Sequence, residues 1–451
     1  MAHVVIVAGL GYGDEGKGSV IDALTLKHES KLVVRYNGGA QCGHNCVTPD
    51  GRHHTFSQFG SGTFHGASTH LSRFVLVNPI SLLAEARHLE EIGIKRPLNL
   101  VTVEKKAPIT TPFHVAANRL KEIFRGNGRH GSCGMGVGET MQDCLANKHL
   151  KIADLQDPLD LRRKLREIQQ RKAAEFEIFR PVLPAAMQEW DILNDPDVVE
   201  QVAQRYEEFA WFVRSVDEEW LAQRLLRDGT ILFEGAQGML LDQNYGWHPY
   251  TTWTDITFKN AETLLDGLGC NVFRLGITRT HMTRHGAGPF VTEDEGLSFP
   301  DHNSTNPWQN NFRHGSMDFV ALRYSIRMLG PVGDDPTAKG VDGIALTRMD
   351  DLPADKWRVC TKYCLRPSGM RVPVSETITD VKLPASGNWK NSEKITLALM
   401  QKDRGITPIY EDLDPKDAVE GVSRALGVPV AMTSHGPTSK DKIFLSPLRY
   451  P

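Results

Sequence analysis

A glycine-rich segment near the start of the chain carries the residues best suited to chemistry. Gly11 to Gly18 (GYGDEGKG) fit the pattern G-x-x-x-x-G-K, in which backbone N–H groups close around phosphate oxygens. Lys17 adds a positive charge, and Gly18 stands where a Ser or Thr usually supplies a hydroxyl to Mg²⁺. Asp14 can replace that hydroxyl, because Mg²⁺ favours carboxylate and phosphate oxygens. The spacing predicts a phosphate site with a metal ligand or a base at Asp14; the alternative is a plain glycine-rich turn.

A second glycine cluster, NGGAQCGHN, follows the apolar run KLVVRY and ends close to His44. In a parallel sheet the carboxyl ends of neighbouring strands face the same crevice. We therefore expect His44 to reach the phosphates bound by the first loop. The alternative is a histidine that caps an element or fills the core.

These loops need strands and helices to position them. Short apolar runs predict strands at residues 4–8, 31–36, 74–78, 98–103, 230–236, 272–278 and 343–349. Helical stretches lie between them, the most evident from about 197 to 227. Strands separated by helices predict an α/β fold with a mainly parallel sheet. Segment 294–316 has no periodicity, which is typical of a functional loop.

The composition limits the remaining classes. The chain has 451 residues, of which 40% are hydrophobic and 24% charged, so disordered, collagen-like and coiled-coil chains are excluded. A net charge of -3 argues against a nucleic-acid partner. We expect no signal peptide and no membrane span. The odd count of seven cysteines fits a reducing cytoplasm. The two C-x3-C pairs are interpreted as buried thiols, with a zinc site as the alternative.

Six motifs in register make the chain resemble the adenylosuccinate synthetase family. GDEGKG (13–18) is similar to that family's phosphate loop, and VVRYNGGAQCGHNCV (33–47) to its second motif. FEGAQGMLLD with PYTT (233–252) resembles its nucleotide-binding segment. The remaining matches are TRHGAGPF-x-TE (283–293), LTRMDDL (346–352) and SHGP (434–437).

The resemblance implies a fold, a reaction and an assembly. The fold is a single large P-loop-like α/β domain over 1–451, with a mainly parallel central sheet flanked by helices. It carries a helical elaboration at about 155–227 and a substrate loop at about 294–316. In the reaction, GTP phosphorylates the 6-oxo group of IMP, and the amine of aspartate then displaces the phosphate. Family members are cytoplasmic homodimers that need Mg²⁺.

The resemblance also assigns roles to residues. Asp14 matches the base that takes the purine N1 proton and binds Mg²⁺ together with the Gly43 carbonyl. His44 matches the acid that helps the GTP leaving group, and Lys17 stabilises the transferring phosphoryl. Asp350 matches the guanine reader, beside Arg348 in place of a stacking lysine. The other assigned GTP contacts are Gly13, Glu15, Gly16, Gly18, Ser434 and Gly436, and the assigned IMP-phosphate contacts are Gln237 and Thr252.

The acceptor side departs from the family pattern. The family's T-T-G-R-x-R loop, which binds aspartate carboxylates, becomes PWQNNFR, so its two arginines align with Asn310 and Phe312. Arg313 is one position away and could substitute after a small loop shift. The arginine that reaches across the dimer aligns with Asn147. A phosphate-contacting threonine becomes Cys133, and an asparagine of the second motif becomes Gln41.

Three explanations of this pattern stay open. The chain is a divergent adenylosuccinate synthetase with a rearranged loop, or a paralogue that uses the same phosphoryl activation on another nucleotide or with another amine donor. The third is a non-catalytic GTP-binding regulatory protein. Retention of both Asp14 and His44 argues against the third, because binding alone does not need the histidine.

Overall fold

The fold is described from a computed structural model of the chain. It describes residues 2–129, 131–177, 184–301, 303, 308–309, 311–330, 340–365, 376–382, 389–401 and 405–445. Within these residues, no helix has both the length and the apolar character needed to cross a membrane.

Ten strands of the described residues form one central sheet. In chain order they are β1 (His3–Gly9), β2 (Leu32–Arg35), β5 (Ser68–Leu71), β6 (Val101–Glu104), β7 (Arg214–Val216), β8 (Thr230–Gly238), β9 (Asn271–Arg279), β12 (Gly343–Thr347), β16 (Val430–Ser434) and β17 (Lys442–Phe444). Across the sheet their order is β17-β16-β12-β9-β1-β8-β2-β5-β6-β7. Only β17 is antiparallel to its neighbour. The predicted α/β fold with a mainly parallel sheet is confirmed.

Two smaller sheets flank the central one. The first pairs β3 (His44–Val47) with β4 (His53–Phe56). The second contains β10 (His281–His285), β11 (Phe312–Asp318), β13 (Trp357–Leu365), β14 (Glu376–Ile378) and β15 (Ile406–Leu413). β10 and β11 run antiparallel, which places Arg284 opposite Arg313 and His285 opposite Phe312.

Helices cover the sheet and build a lobe beside it. In chain order they are α1 (Lys17–His28), α2 (Pro79–Glu91), α3 (Pro112–Arg125), α4 (Val137–Leu145), α5 (Pro158–Ala174), α6 (Pro184–Asn194), α7 (Asp197–Phe212), α8 (Glu219–Leu225), α9 (Lys259–Leu265), α10 (Phe319–Leu329), α11 (Trp389–Met400) and α12 (Ala418–Leu426). α5, α6 and α7 pack with α2 and α3 over an apolar cluster that also contains Leu71 of β5 and Val101 and Val103 of β6. These helices therefore share their core with the edge of the central sheet.

The central strands are apolar along their whole length because both faces are covered. In β1, Val4, Val5, Ile6 and Val7 are all fully buried. β-branched side chains of this kind suit a parallel sheet between two helical layers. The carboxyl ends of β1, β2, β8, β12 and β16 then open on one edge of the sheet, where the predicted loops begin.

Three predicted elements differ in the structure. The strand expected at 74–78 lies instead at 68–71, where the polar Thr69 and His70 are buried and hydrogen-bonded to Gly60 and Thr102. The helix expected over 197–227 ends at Phe212, because residues 214–216 pair with β6 as an edge strand. The loop expected at 294–316 is shorter, because strand β11 begins at Phe312.

Candidate active site

The phosphate loop is closed by one of its own carboxylates. Glu15 is 5% exposed, and its Oε1 accepts hydrogen bonds from the backbone N–H groups of Gly11 (2.9 Å) and Gly13 (2.7 Å). Its Oε2 lies 2.9 Å from the Lys17 ammonium, which also donates to the Gly13 carbonyl at 2.5 Å. The Thr347 hydroxyl donates to the Glu15 carbonyl at 2.7 Å. Glu15 and Lys17 thus hold the loop in place through its backbone N–H and carbonyl groups.

The loop leads directly into the N-terminus of α1. Gly16 has a φ of +92°, a left-handed conformation that glycine adopts without strain. The first N–H groups of a helix have no partner within it, and with the helix dipole they favour an anion. The turn from β1 into α1 is therefore built as an anion site.

His44 lies against this helix terminus. A Cβ atom at Gly18 would be 2.9 Å from the carbonyl carbon of His44 and 3.1 Å from the Asn45 carbonyl oxygen. Only glycine permits this approach, which brings the start of β3 onto the first turn of α1. The structure places His44, and Gly43 before it, beside the phosphate loop.

His44 is held by a buried carboxylate. Its Nδ1 lies 2.5 Å from Oε1 of Glu234 in β8, and both side chains are buried. Burial lowers the pKa of His44 to about 4, although Glu234 opposes that shift. Glu234 also accepts hydrogen bonds from the Ser61 N–H (3.0 Å) and hydroxyl (2.5 Å). Burial raises the pKa of Glu234, but His44, Arg35 and Ser61 outweigh it and lower the value to about 2.

Glu234 and Ser61 were not predicted from the sequence. The available signal was an acidic residue in the middle of a strand that is otherwise apolar, within the quoted FEGAQG motif. Because buried charges are paired in native proteins, such a position predicts a partner.

Asp14 points away from the carboxylate that closes the loop. Its side chain is 21% exposed, and its Oδ2 lies 3.5 Å from Nε2 of His285 in β10. The His285 ring contacts Phe312, with the ring centroids 4.6 Å apart. The sequence analysis assigned no role to His285, although it lies in the quoted TRHGAGPF motif. Asp14 thus lies near the place where β10 ends and β11 begins.

The residues assigned to guanine lie at the carboxyl ends of two adjacent strands, β12 and β16. Arg348 and Asp350 follow β12, Ser434 ends β16, and Gly436 follows it. Arg348 adopts a φ of +61°, and its carbonyl accepts a hydrogen bond from the Thr280 hydroxyl at 2.7 Å. Its guanidinium lies 2.7 Å from the Asp351 carboxylate and contacts the Pro300 carbonyl. Asp350 is exposed and faces outward from this turn.

The segment before residue 301 packs over a buried histidine. His281 is 4% exposed, and its ring stacks on Phe299 with the centroids 3.9 Å apart. Neither ring nitrogen has a hydrogen-bond partner within the described residues. Burial, reinforced by Arg279 and Arg348, lowers the pKa of His281 to about 2. The folded protein therefore holds this ring neutral.

We expect His281→Phe to remove part of the acid sensitivity of folding. The pKa of histidine in the unfolded chain is about 6.5, so below that pH the unfolded chain takes up a proton that folded His281 refuses. His281 should therefore lower the free energy of unfolding by about 2 kcal/mol between pH 7.5 and pH 5. Urea unfolding at both pH values measures this loss. His88→Gln, which changes a half-exposed histidine, serves as the control; equal losses in wild type and His281→Phe would contradict the prediction.

Two glutamine side chains converge on the glycine turn after β2. Both amide atoms of Gln41, and Oε1 of Gln237, are buried without a hydrogen-bond partner in the described part of the chain. Oε1 of Gln41 borders Gly39, and Oε1 of Gln237 borders Gly38. Gln237 adopts a φ of +56° and donates to Cys42 Sγ at 3.4 Å. Among the residues that the structure describes, these three amide atoms therefore lack the partner that buried polar groups normally have.

Cys133 and Thr252 lie on segments that meet at α4. Cys133 belongs to the turn before this helix, and burial raises its thiol pKa to about 11, so it stays protonated. Thr252 is half-buried, and its N–H donates to the Leu241 carbonyl at 2.8 Å. The next residue, Trp253, borders Gly138 in the first turn of α4. Asn147 is exposed at the other end of α4, away from this turn.

Arg313 is engaged inside the protein. Its guanidinium donates to the carbonyls of Gly286 (2.6 Å) and Gly288 (3.0 Å) and lies 3.1 Å from the Glu293 carboxylate. Phe312 places an aromatic ring at the neighbouring position, and Asn310 lies outside the described residues. The contacts of Arg313 therefore hold the turn between residues 286 and 290 in place.

The side chains near the phosphate loop show whether this site suits Mg²⁺. No group of three or more His, Cys, Asp or Glu side chains within the described ranges is placed to hold a metal. All seven cysteines are free thiols. The partly exposed carboxylate of Asp14 beside an anion site fits Mg²⁺, which is commonly held by one or two carboxylates and phosphate oxygens.

Comparisons with known proteins agree along nearly the whole chain. The family model for adenylosuccinate synthetase matches residues 6–443. Adenylosuccinate synthetase of Chlorobium limicola is 30% identical over 97% of this chain and 96% of its own. That of Pelodictyon phaeoclathratiforme is 33% identical over 80% of both. The solved structure of fully ligated adenylosuccinate synthetase from Plasmodium falciparum covers 99% of this chain and 100% of its own, with 20% identity and a TM-score of 0.74.

Proposed function

Since the chain belongs to the adenylosuccinate synthetase family of GTP-dependent ligases, we propose that it phosphorylates the 6-oxo group of IMP with GTP and replaces the phosphate with the amine of aspartate. The observation that carries the proposal is that Asp14 lies in the loop that leads into α1, partly exposed, while His44 lies against the first turn of the same helix. A base, an acid and an anion site together suit phosphoryl transfer to a carbonyl oxygen that becomes nucleophilic when the neighbouring ring nitrogen loses its proton.

The first step transfers a proton to the protein and then a phosphoryl group to the purine. Asp14 takes the N1 proton of the purine, so that electron density moves to O6. O6 then attacks the γ-phosphorus of GTP, and GDP leaves with its charge stabilised by Lys17 and the first turn of α1. His44 donates a hydrogen bond from Nε2 to the leaving phosphate. Mg²⁺, when held by Asp14, the Gly43 carbonyl and phosphate oxygens, neutralises part of the phosphate charge.

The second step joins the two substrates. The neutral amine of aspartate attacks C6, the C6–O bond breaks, and inorganic phosphate leaves with the proton that the amine gives up. Gln41, Gln237 and Thr252 hold the nucleotide through this step, and the unpartnered amide atoms of both glutamines support that role. Arg348, Asp350, Ser434 and Gly436 hold the guanine base. The proposal includes a cytoplasmic homodimer without nucleic-acid or membrane partners.

The contacts of Arg313 favour a second candidate. This guanidinium is occupied by two carbonyls and Glu293, and Phe312 stands where the family has an arginine. A carboxylate bound there by charge-assisted pairing would need Arg313 to leave these partners. The second candidate is a paralogous ligase that uses the same activation with another amine donor or another nucleotide.

One assay separates the candidates. Purified full-length protein with GTP, Mg²⁺, IMP and aspartate should change ultraviolet absorbance as the 6-amino product forms. No turnover at millimolar substrates would refute IMP and aspartate as the pair. Phosphate release from GTP with other nucleotides and amines would then support the paralogue. GTP binding without phosphate release on any of them would indicate a regulatory protein.

A further inference from the structure

The loop after β16 is organised around a buried lysine. Lys442, the first residue of β17, is 7% exposed. Its ammonium donates to the Gly436 carbonyl at 2.7 Å and to the Thr438 carbonyl at 2.9 Å. The two oxygens therefore point inward at one charge. Each oxygen has a second donor, the Ser434 hydroxyl at 3.2 Å for Gly436 and the Asp441 N–H at 3.1 Å for Thr438, so the ammonium is the one group that joins the two carbonyls.

The rest of the loop is closed by Asp441. Its Oδ2 accepts hydrogen bonds from the N–H of Thr438 (2.8 Å) and from its hydroxyl (2.7 Å). The Asp441 carbonyl accepts a hydrogen bond from the His435 N–H at 2.9 Å. The Ser434 hydroxyl donates to the Gly436 carbonyl at 3.2 Å. Residues 434–441 thus form a compact loop whose interior is filled by the Lys442 ammonium.

The charge of Lys442 is retained in this interior. Burial lowers its pKa to about 8, against the attraction of the Asp441, Asp22 and Asp350 carboxylates. Asp22 lies on α1, the helix that begins at the phosphate loop, and Asp350 lies on the turn beside β16. Lys442 therefore lies among the carboxylates of three elements that the nucleotide site uses.

We propose that Lys442 is a positioning residue for guanine recognition, which holds residues 434–438 in the shape that sets Ser434 and Gly436 beside Asp350. The inference rests on the proposed function, because it assumes that this edge of the sheet binds a guanine nucleotide. Lys442 itself does not touch the base. It acts through the two carbonyl groups that it holds.

Lys442→Met tests the proposal, since methionine keeps an unbranched apolar chain but removes the ammonium. Calorimetric titration of the full-length protein with GDP, and with IDP, which lacks the 2-amino group, measures both affinity and base discrimination. We expect the affinity for GDP to be at least about tenfold weaker. The ratio of the GDP affinity to the IDP affinity should move toward one. The kcat at saturating GTP should stay within about twofold of wild type, because the reacting atoms lie at the other end of the nucleotide.

Lys440→Met is the matched control. This lysine lies two residues away on the same loop and is exposed, so its loss should change neither GDP affinity nor discrimination. Wild-type affinity and discrimination in Lys442→Met would overturn the proposal. Failure of the wild type to bind GDP or GTP would refute the proposed function instead.

Thermal unfolding without nucleotide checks that the variants fold. If Lys442→Met does not fold, Lys442→Ser decides in the same titrations, because its short side chain cannot reach the two carbonyl groups and leaves room for water beside them. A GDP/IDP ratio lower than that of wild type supports the proposal in that variant. An unchanged ratio overturns it.

Discussion

Asp14→Asn is expected to lower kcat by about 10²–10⁴-fold, the range that a positioned general base contributes. The amide keeps the size of the side chain but cannot accept the purine N1 proton. The neighbouring Glu15 cannot take over, because its carboxylate is 5% exposed and is occupied by the N–H groups of Gly11 and Gly13. Asp14 is thus the partly exposed carboxylate of this loop, which suits the proposed base.

Steady-state kinetics at saturating GTP and IMP measure this loss. The binding of GDP in the absence of Mg²⁺ should change by less than about threefold, because the loop is closed by Glu15 and Lys17 rather than by Asp14. Asp355→Asn, at an exposed position, is the control and should keep the wild-type kcat. A kcat within a factor of three of wild type in Asp14→Asn would remove Asp14 from its assigned role.

Glu234→Gln is expected to reduce kcat by a similar factor through His44. Ser61 donates its N–H to Oε2 of Glu234, so the amide oxygen would take that position and the amide NH₂ would face His44 Nδ1. The ring would then lose the acceptor that stabilises its protonated form. Replacing the carboxylate that orients a catalytic histidine costs up to about 10⁴-fold in kcat.

The protonation state of His44 explains why the carboxylate matters. In the structure burial keeps its pKa near 4, so the ring is neutral at pH 7. Phosphate charges beside Nε2 favour the protonated ring, as any nearby opposite charge does. Glu234 supplies the second negative charge on the other side of the ring. Both are needed for an acid that works at neutral pH.

A control substitution at another buried glutamate separates an effect on catalysis from an effect on stability. Glu85 is 8% exposed and accepts N–H groups from Ser57 and Gln58, so Glu85→Gln also perturbs a buried carboxylate. We expect both variants to be less stable to urea, but only Glu234→Gln to lose kcat. Equal kcat losses in the two variants would show that Glu234 acts through stability alone.

The sequence predicted those parts of the site that depend on local spacing. The phosphate loop follows from glycine and lysine positions within eight residues, and the placement of His44 follows from the rule for parallel strands. Glu234 and His285 were missed because their partners are distant in the chain: His44 and Glu234 are 190 residues apart. No local pattern encodes such a pair.

The errors in the fold have the same origin. The apolar residues 74–78 suit a strand by composition, yet the sheet takes residues 68–71, whose buried polar groups find partners on neighbouring segments. Residues 214–216 continue a helical pattern in the sequence, but the free edge of β6 pairs with them. In both places long-range pairing outweighs local propensity.

The carboxylate beneath the phosphate loop has a consequence for the rate at which a nucleotide binds. Glu15 orders the backbone from Gly9 to Gly13 when the protein folds. The conformational entropy of that backbone is therefore already lost before a nucleotide binds, and it does not lower the binding affinity. A site ordered in advance needs little rearrangement at encounter, and association then approaches the speed set by diffusion and orientation. We expect the loop to bind nucleotides as a rigid receptor. Differences in affinity between nucleotides should then appear mainly in their dissociation rates.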